Sequence, residues 1–386
     1  MRLLVLNWRD WRDPLAGGAE VHLRELLTRC VQAGDEVSLV VSRPHGAPAA
    51  EVFDGVRVVR AGTDLTAAWA VPAAARRLLD TERFDVLVDD VNKIPFRAPR
   101  WSTIPVVALF HHLFGCQFFR TVDPARATAL WLLERRIGRV YRGTPAIAVS
   151  ASTKAELVQL GLQPDDVTVV ENGLDHAIYR PGAPAAPRAP FVAVVSRLVN
   201  YKRVDVAIRA AALLRQTHPD LRWRIAGDGP ARAGLEALAR RLAAPVEFLG
   251  AVSVAAKVAL LQQAAVFVAP SAKEGFGLAV VEAAACGAPV VLSDVPGHRD
   301  ALPTESARRF PAGDAVACAT SIARVLADPI ATRAMVAAAQ VRVANLHWDL
   351  TAAAIRRRFH AATFSTSLAT SLRATAFQIP SIRSSS

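Results

Sequence analysis

The sequence predicts an α/β protein of two doubly wound parallel sheets facing a central cleft. Short, continuously apolar segments of strand length alternate with longer segments of helical periodicity over most of the 386 residues. Continuous apolar strands separated by helices belong to parallel sheets covered on both faces. One stretch, residues 181–190, carries four prolines in ten positions and interrupts the alternation, as a stiff linker does. Two such domains would hold a ligand between them, at the carboxyl ends of their strands.

The first half predicts strands at 3–6, 37–41, 56–60, 86–88, 106–110, 147–149 and 167–170. Helices are expected near 19–33, 65–80, 124–142 and 152–161. In the second half, strands are expected at 191–195, 222–226, 246–249, 265–269, 289–292 and 307–310. Helices fall near 204–216, 230–243, 253–263, 276–286, 315–327 and 330–345. The domains are therefore placed at 1–180 and 191–348, joined by the 181–190 linker. Asp349 is the last acidic residue, and 361–386 is rich in Ser, Thr and Ala. That tail is expected to be disordered. Its Phe364, Leu368 and Leu372 recur at the spacing of a basic amphipathic helix that touches membrane.

Composition narrows the function classes. At 52% hydrophobic the chain can fill two cores. No apolar run approaches the ~18–20 residues of a membrane span. Arg9 interrupts what could be the apolar core of a signal peptide. Cys30, Cys116, Cys286 and Cys318 are too scattered for a zinc ribbon or a CxxC motif and read as buried thiols in a reducing compartment. A cytoplasmic protein is expected. Net charge is +12, and 41 of the 46 basic residues are arginine. That field favours phosphates, acidic membrane or nucleic acid without choosing among them.

Five segments carry candidate chemistry. Gly17-Gly18-Ala19-Glu20 precedes a helix with apolar Val21, Leu23, Leu26 and Leu27. Glycines admit a ligand close to the backbone, and the helix start offers N–H groups to an anion. The loop before it, 7–14, holds Trp8, Arg9, Trp11 and Arg12, which suit sugar stacking and phosphate. Ser196-Arg197…Lys202-Arg203 sits between a strand and a helix. A forked arginine with a point-charge lysine can clamp a diphosphate, and a bound anion would relieve cations at a helix N-terminus.

Gly227-Asp-Gly-Pro230 lacks the third glycine of a dinucleotide fingerprint and reads as a turn into a helix. Residues 270–290 are the most specific. Gly275-Phe276-Gly277-Leu278 feeds a helix, with Glu274 before it, Glu282 two turns in, and Gly287 as C-cap. The Gly-Phe-Gly has no evident packing purpose, and carboxylates suit paired sugar hydroxyls. His111-His112 ends the strand 106–110, where an imidazole can meet a substrate or shuttle a proton.

In this order and spacing the segments resemble the retaining GT-B glycosyltransferases, particularly glycosyltransferase family 4, over nearly the whole chain to about residue 360. Glu274-x7-Glu282 is the strongest match, and Glu171-Asn-Gly-Leu-Asp175 looks like the family's end of the first domain. The resemblance implies an acceptor-side first domain, a donor-binding second domain, and a last helix, about 349–360, that returns to the first. It implies that Arg197 and Lys202 hold the diphosphate of a nucleotide-sugar donor, helped by backbone at Gly17, Gly18 and 275–278. Glu274 would contact the transferred sugar, Glu282 the ribose, and His111, in a register interchangeable with His112, the reacting sugar. The base would be read by backbone near 250–253.

It further implies transfer of a glucose- or mannose-type hexose to a hydroxyl acceptor with retention of configuration. The resemblance also implies that no metal or other cofactor is required, the cations taking over the metal's stabilisation of the leaving diphosphate. A role in cell-envelope glycolipid, polysaccharide or other glycoconjugate synthesis is the expectation. Asp89-Asp90 and Asp165-Asp166 lack the spacer of an Asp-x-Asp metal motif. Arg126, Arg135, Arg136, Arg139 and Arg142, beside Trp131, suggest peripheral contact with anionic membrane at the inner face and a lipid-linked acceptor; a saccharide acceptor remains the other possibility. No nucleic-acid partner is expected. The alternatives are a GT-B nucleotide-sugar 2-epimerase, against which Glu274-x7-Glu282 argues, and a non-enzymatic basic module binding nucleic acid or membrane, which leaves the 274–282 segment unexplained.

Overall fold

Continuous burial along the central strands sets the layers, because helices cover both faces of each sheet. A computed structural model describes residues 1–91, 94–120, 122–182 and 189–376. The first sheet contains β1 (Arg2–Leu6), β2 (Glu36–Val41), β3 (Ala50–Phe53), β4 (Val56–Arg60), β5 (Val86–Val91), β6 (Val106–Phe110), β7 (Ala146–Ala148) and β8 (Val167–Val169). Their order is β3-β4-β2-β1-β5-β6-β7-β8, parallel except for β3 against β4. The second sheet contains β9 (Ala189–Val195), β10 (Arg222–Ala226), β11 (Val246–Gly250), β12 (Ala264–Ala269), β13 (Val290–Ser293) and β14 (Arg308–Phe310). Its order is β11-β10-β9-β12-β13-β14, all parallel. In each sheet the chain winds outward from the first strand, then returns to its other side. That reversal opens a crevice at the carboxyl ends of β1 and β5, and of β9 and β12.

The expected strands are present within a few residues. The edge strand β3 is an addition. It hairpins onto β4 through Asp54-Gly55, both at positive φ (53° and 77°), and an Asp-Gly pair is the usual signal of such a turn. The helix expected at 124–142 is broken into Pro124–Arg135 and Ile137–Val140. A Cβ at Gly138 would lie 1.7 Å from the Leu160 carbonyl oxygen, so this backbone is pressed against the next helix. Of the 181–190 linker, 183–188 lies outside the described residues, and Ala189 and Pro190 already belong to β9.

The final helix, Trp348–Ala376, crosses to the first domain as expected. Ala352, Ile355, Phe359 and Ala362 join the core of Leu3, Leu23, Leu27 and Cys30. Arg356 bonds Asp35 at 2.7 Å, and Asp35 also takes the terminal amine at 2.9 Å. The helix runs past 360, where disorder was expected, to Ala376; no Gly or Pro lies between 350 and 376 to stop it. Leu368 and Leu372 are helical, and 377–386 lies outside the described residues. Outgoing and returning chain run side by side: Leu174 pairs with His347, and a Cβ at Gly173 would meet Trp348 N at 2.2 Å. Among the described residues no single helix is long and apolar enough to cross a membrane. Cys30, Cys286 and Cys318 are buried, but Cys116, expected to be buried, is exposed on the short 3-10 helix Gly115–Arg120.

Candidate active site

Strand-end loops from both sheets meet across the cleft. Gly17 is the N-cap of the helix Gly18–Gln32, and its N–H donates to Glu20 Oε2 at 2.6 Å. A Cβ at Gly17 would lie 3.1 Å from Arg197 Nε, and one at Gly18 would lie 3.4 Å from Leu278 Cδ1. The glycine turn of the first domain thus abuts the arginine of the second. Arg197 Nη2 donates to the Tyr201 hydroxyl at 3.0 Å.

Lys202 grips Glu274 with both carboxylate oxygens, at 2.7 and 2.8 Å. The Ser271 hydroxyl donates to Glu274 Oε1 at 2.7 Å, and His298 Nε2 stands 3.9 Å from the same oxygen. Burial pushes the Glu274 carboxyl up, but the Lys202 ammonium and these neighbours outweigh it and hold it near 2. Burial pulls Lys202 down, and the Glu274 charge reverses that, leaving it raised. Glu274 is an anion and Lys202 a cation throughout the neutral range.

Each residue of Gly275-Phe276-Gly277 does have a packing purpose, contrary to the sequence expectation. A Cβ at Gly275 would meet the His111 carbonyl oxygen at 1.9 Å, so glycine lets this loop touch the opposite domain. Phe276 is buried in the second core beside Val149 and Tyr179. Gly277 caps the helix Leu278–Ala285 at φ 90°, a left-handed conformation that favours glycine. Glu282, about one turn into that helix, is held by Lys257 at 2.9 Å to both oxygens. Gly227 and Gly229 of the 227–230 turn let it dock on Ser196 and Leu198, beside Arg197. Asp228 turns outward to Arg232.

His111 and His112 point to different partners. His111 is buried, with Nε2 2.7 Å from Asp90 Oδ1 and its ring edge-on to His22 at 4.9 Å. His112 stacks near Phe114 and Tyr201, and its buried Nε2 has no hydrogen-bond partner among the described residues. Burial, with the Lys202 and His111 charges, drives His112 down to about 3; burial and His111 do the same to His22. An unfolded histidine takes its proton near 6.5. As pH falls from about 6.5 towards 3, the unfolded chain therefore binds protons at His112 and His22 that the folded chain refuses, and stability falls. His111, which is raised by Asp90 despite burial, works in the opposite sense. His112→Gln is expected to flatten the acid side of melting temperature against pH; an unchanged slope contradicts the assignment.

Other sequence expectations are spent on the fold. Trp8 donates to the Ile94 carbonyl, Trp11 to Asp54, Arg9 pairs with Asp64 and Asp13, and Arg12 lies over Phe53. The 7–14 loop is thus an internally paired corner rather than an exposed sugar platform. Arg203 at the helix start is neutralised by Asp205 at 2.9 Å, without an anion. His22, Lys257, Ser271 and His298 carry no local signal of a site, and Asp90 shows only as half of the Asp89-Asp90 pair. His298 sits on the six-residue helix Pro296–Ala301, too short to show a period. Tyr201 lies between Arg197 and Lys202, but an aromatic there reads equally as core.

Two Rossmann-like sheets meeting at a cationic, glycine-walled cleft define a GT-B glycosyltransferase. The family model for group 1 glycosyl transferases matches residues 176–342, and that for Glycosyltransferase Family 4 matches residues 16–178. The chain belongs to this group 1/family 4 class of GT-B glycosyltransferases. It is 28% identical to a glycogen synthase of Mycobacterium tuberculosis, over 94% of this chain and 95% of that protein. Its fold is similar to sucrose-phosphate synthase from Thermosynechococcus elongatus (TM-score 0.80, 20% identity, 93% of this chain and 98% of that one). It is also similar to Anabaena HepE in complex with UDP-glucose (TM-score 0.75, 19% identity, 94% and 100%).

Proposed function

We propose that this enzyme moves a glucose- or mannose-type hexosyl group from a nucleotide-diphosphate sugar to an acceptor hydroxyl, with retention of anomeric configuration and without metal. The observation that carries this reading is the Arg197–Lys202–Glu274 cluster set against Gly17 and Gly18 across the cleft. An ammonium has three N–H donors and Glu274 occupies two. The third, with the Arg197 fork and the helix N-terminus at Gly277-Leu278, would receive the diphosphate charge that develops as the C1–O bond breaks. The acceptor oxygen attacks C1 on the departing face and its proton passes to a phosphate oxygen. Glu274, ionised at working pH, accepts from a hydroxyl of the transferred sugar, and Glu282 from the ribose. His111 lines the sugar side.

The similar HepE in complex with UDP-glucose supports a donor of this class. NMR of the product formed in EDTA tests the reading. The expected product keeps the donor's anomeric configuration, whereas an inverted product or an absolute metal requirement overturns it.

The acceptor side supports a lipid-linked acceptor in cell-envelope glycolipid or polysaccharide synthesis, reached from the cytoplasmic face. Leu65, Trp69, Phe119 and Leu132 are exposed. Leu65 follows β4 and Phe119 follows β6, so both lie at the carboxyl ends of parallel strands. Arg126, Arg135, Arg136, Arg139 and Arg142 are exposed near Leu132, with Arg135 over the Trp131 ring at 4.7 Å. Exposed apolar side chains together with an arginine-rich helix suit an anionic bilayer surface. Sedimentation with vesicles should show preference for anionic over neutral lipid; equal binding removes the membrane part and leaves a saccharide acceptor.

A further inference from the structure

β5 ends in Asp89-Asp90, and the pleat throws successive side chains to opposite faces. Asp89 accepts from the Tyr141 hydroxyl at 2.5 Å and from Ala98 N at 3.0 Å, within the layer that includes the helix Ile137–Val140. Burial raises its carboxyl to about 6. Asp90 emerges on the other face, beneath the helix Gly18–Gln32. It is fully buried, with Oδ1 2.7 Å from His111 Nε2 and Oδ2 unpartnered among the described residues. Adjacent strands bring the pair together, since Val91 and Phe110 are in register.

On its other side the His111 ring meets His22 edge-on at 4.9 Å. His22 Nδ1 is 2.7 Å from Asn172 Oδ1, in the segment that leaves the first domain. His22 also stands edge-on to Trp348, where the chain returns.

We propose that Asp90 is the positioning residue of His111: its carboxylate accepts from Nε2–H and fixes the ring, committing Nδ1 to the sugar in the cleft, while His22, tied to Asn172, blocks rotation from behind. The role at the sugar rests on the transferase reading above; the pairing of the two side chains does not. The charges that face His111 are Asp90 from β5, Glu20 and His22 from the helix Gly18–Gln32, and His112 from its own loop. His22 and His112 are neutral at working pH, so the Asp90 carboxylate, aided by Glu20, sets the state of His111. An oriented carboxylate–imidazole pair fixes both tautomer and angle.

Asp90→Asn keeps an acceptor of nearly the same shape and removes the charge. Removing an adjacent opposite charge should lower the His111 titration midpoint, read by 15N NMR of the ring, by roughly one to three pH units. The pH limb of turnover should move with it, while the donor-induced rise in melting temperature stays. In a His111→Ala background, Asp90→Asn should change kcat by no more than about twofold. An unmoved His111 midpoint overturns the pairing, and an equal loss of kcat with and without His111 overturns the positioning role. The ring titration needs no substrate, so its result stands apart from any failure of the transferase reading.

Discussion

Replacing Arg197 with alanine is expected to cut sugar transfer by about 10²–10³-fold, the usual cost of removing one donor to a developing oxyanion. Arg197 is exposed at the β9 end, with Nη2 on the Tyr201 hydroxyl and Nε beside Gly17. Among the described residues no carboxylate holds it within ion-pair distance, so its removal leaves no buried charge behind and the folding midpoint should barely move. Lys202→Met is the instructive contrast. It strips the cation from the largely buried Glu274 carboxylate, and breaking a fully buried pair on one side costs about 3–5 kcal/mol, the upper bound here. Steady-state kinetics and melting temperature together separate the two: loss of activity alone for Arg197→Ala, loss of both for Lys202→Met. Near-normal turnover in Arg197→Ala would count heavily against the clamp.

Gly275→Ala should be as damaging to activity by a different route. The added Cβ would sit 1.9 Å from the His111 carbonyl oxygen and 3.1 Å from His112 Cβ. Its nearest neighbour is backbone, which cannot swing aside as a flexible side chain would. The loop must withdraw, carrying Glu274 and the N-terminus of the helix Leu278–Ala285 away from the first domain. A displacement near 1 Å in a reacting geometry costs on the order of 10²-fold in rate. Gly234→Ala is the control: it lies in the helix Arg232–Arg241 with nothing within 4 Å of a new Cβ. There alanine should stabilise by about 0.4–1 kcal/mol through the unfolded chain. Equal activities for the two variants would show that the contact between domains is dispensable.

The same contact shows where reading the sequence stops. Apolar runs such as Val106–Phe110 and turn glycines such as Gly277 announce themselves locally, because strand burial and left-handed backbone are properties of a few consecutive residues. The cluster at 274–282 was legible because its carboxylates and glycines lie within nine positions. What Gly275 touches was not legible, since its neighbour is more than 160 residues away and on the other domain. The tie to His111 was hidden for that reason too: His22 is unremarkable in its own segment, Asp90 stands out locally only as half of an Asp-Asp pair and Asn172 only as part of the 171–175 phrase, and the sheet order alone brings them to His111. The 7–14 loop erred in the opposite direction. Its tryptophans and arginines look ligand-seeking until Asp54, Asp64 and Asp13 are seen to take their donors.

The most direct test is melting temperature against UDP-, GDP- and ADP-sugars without added metal, for the native chain and for Arg197→Ala. A donor at 100 times its dissociation constant should stabilise the native chain by about 2.7 kcal/mol. The cleft described here predicts that one nucleotide class does so and that the shift is lost in Arg197→Ala. No shift with any donor, or an undiminished shift in the variant, would contradict it.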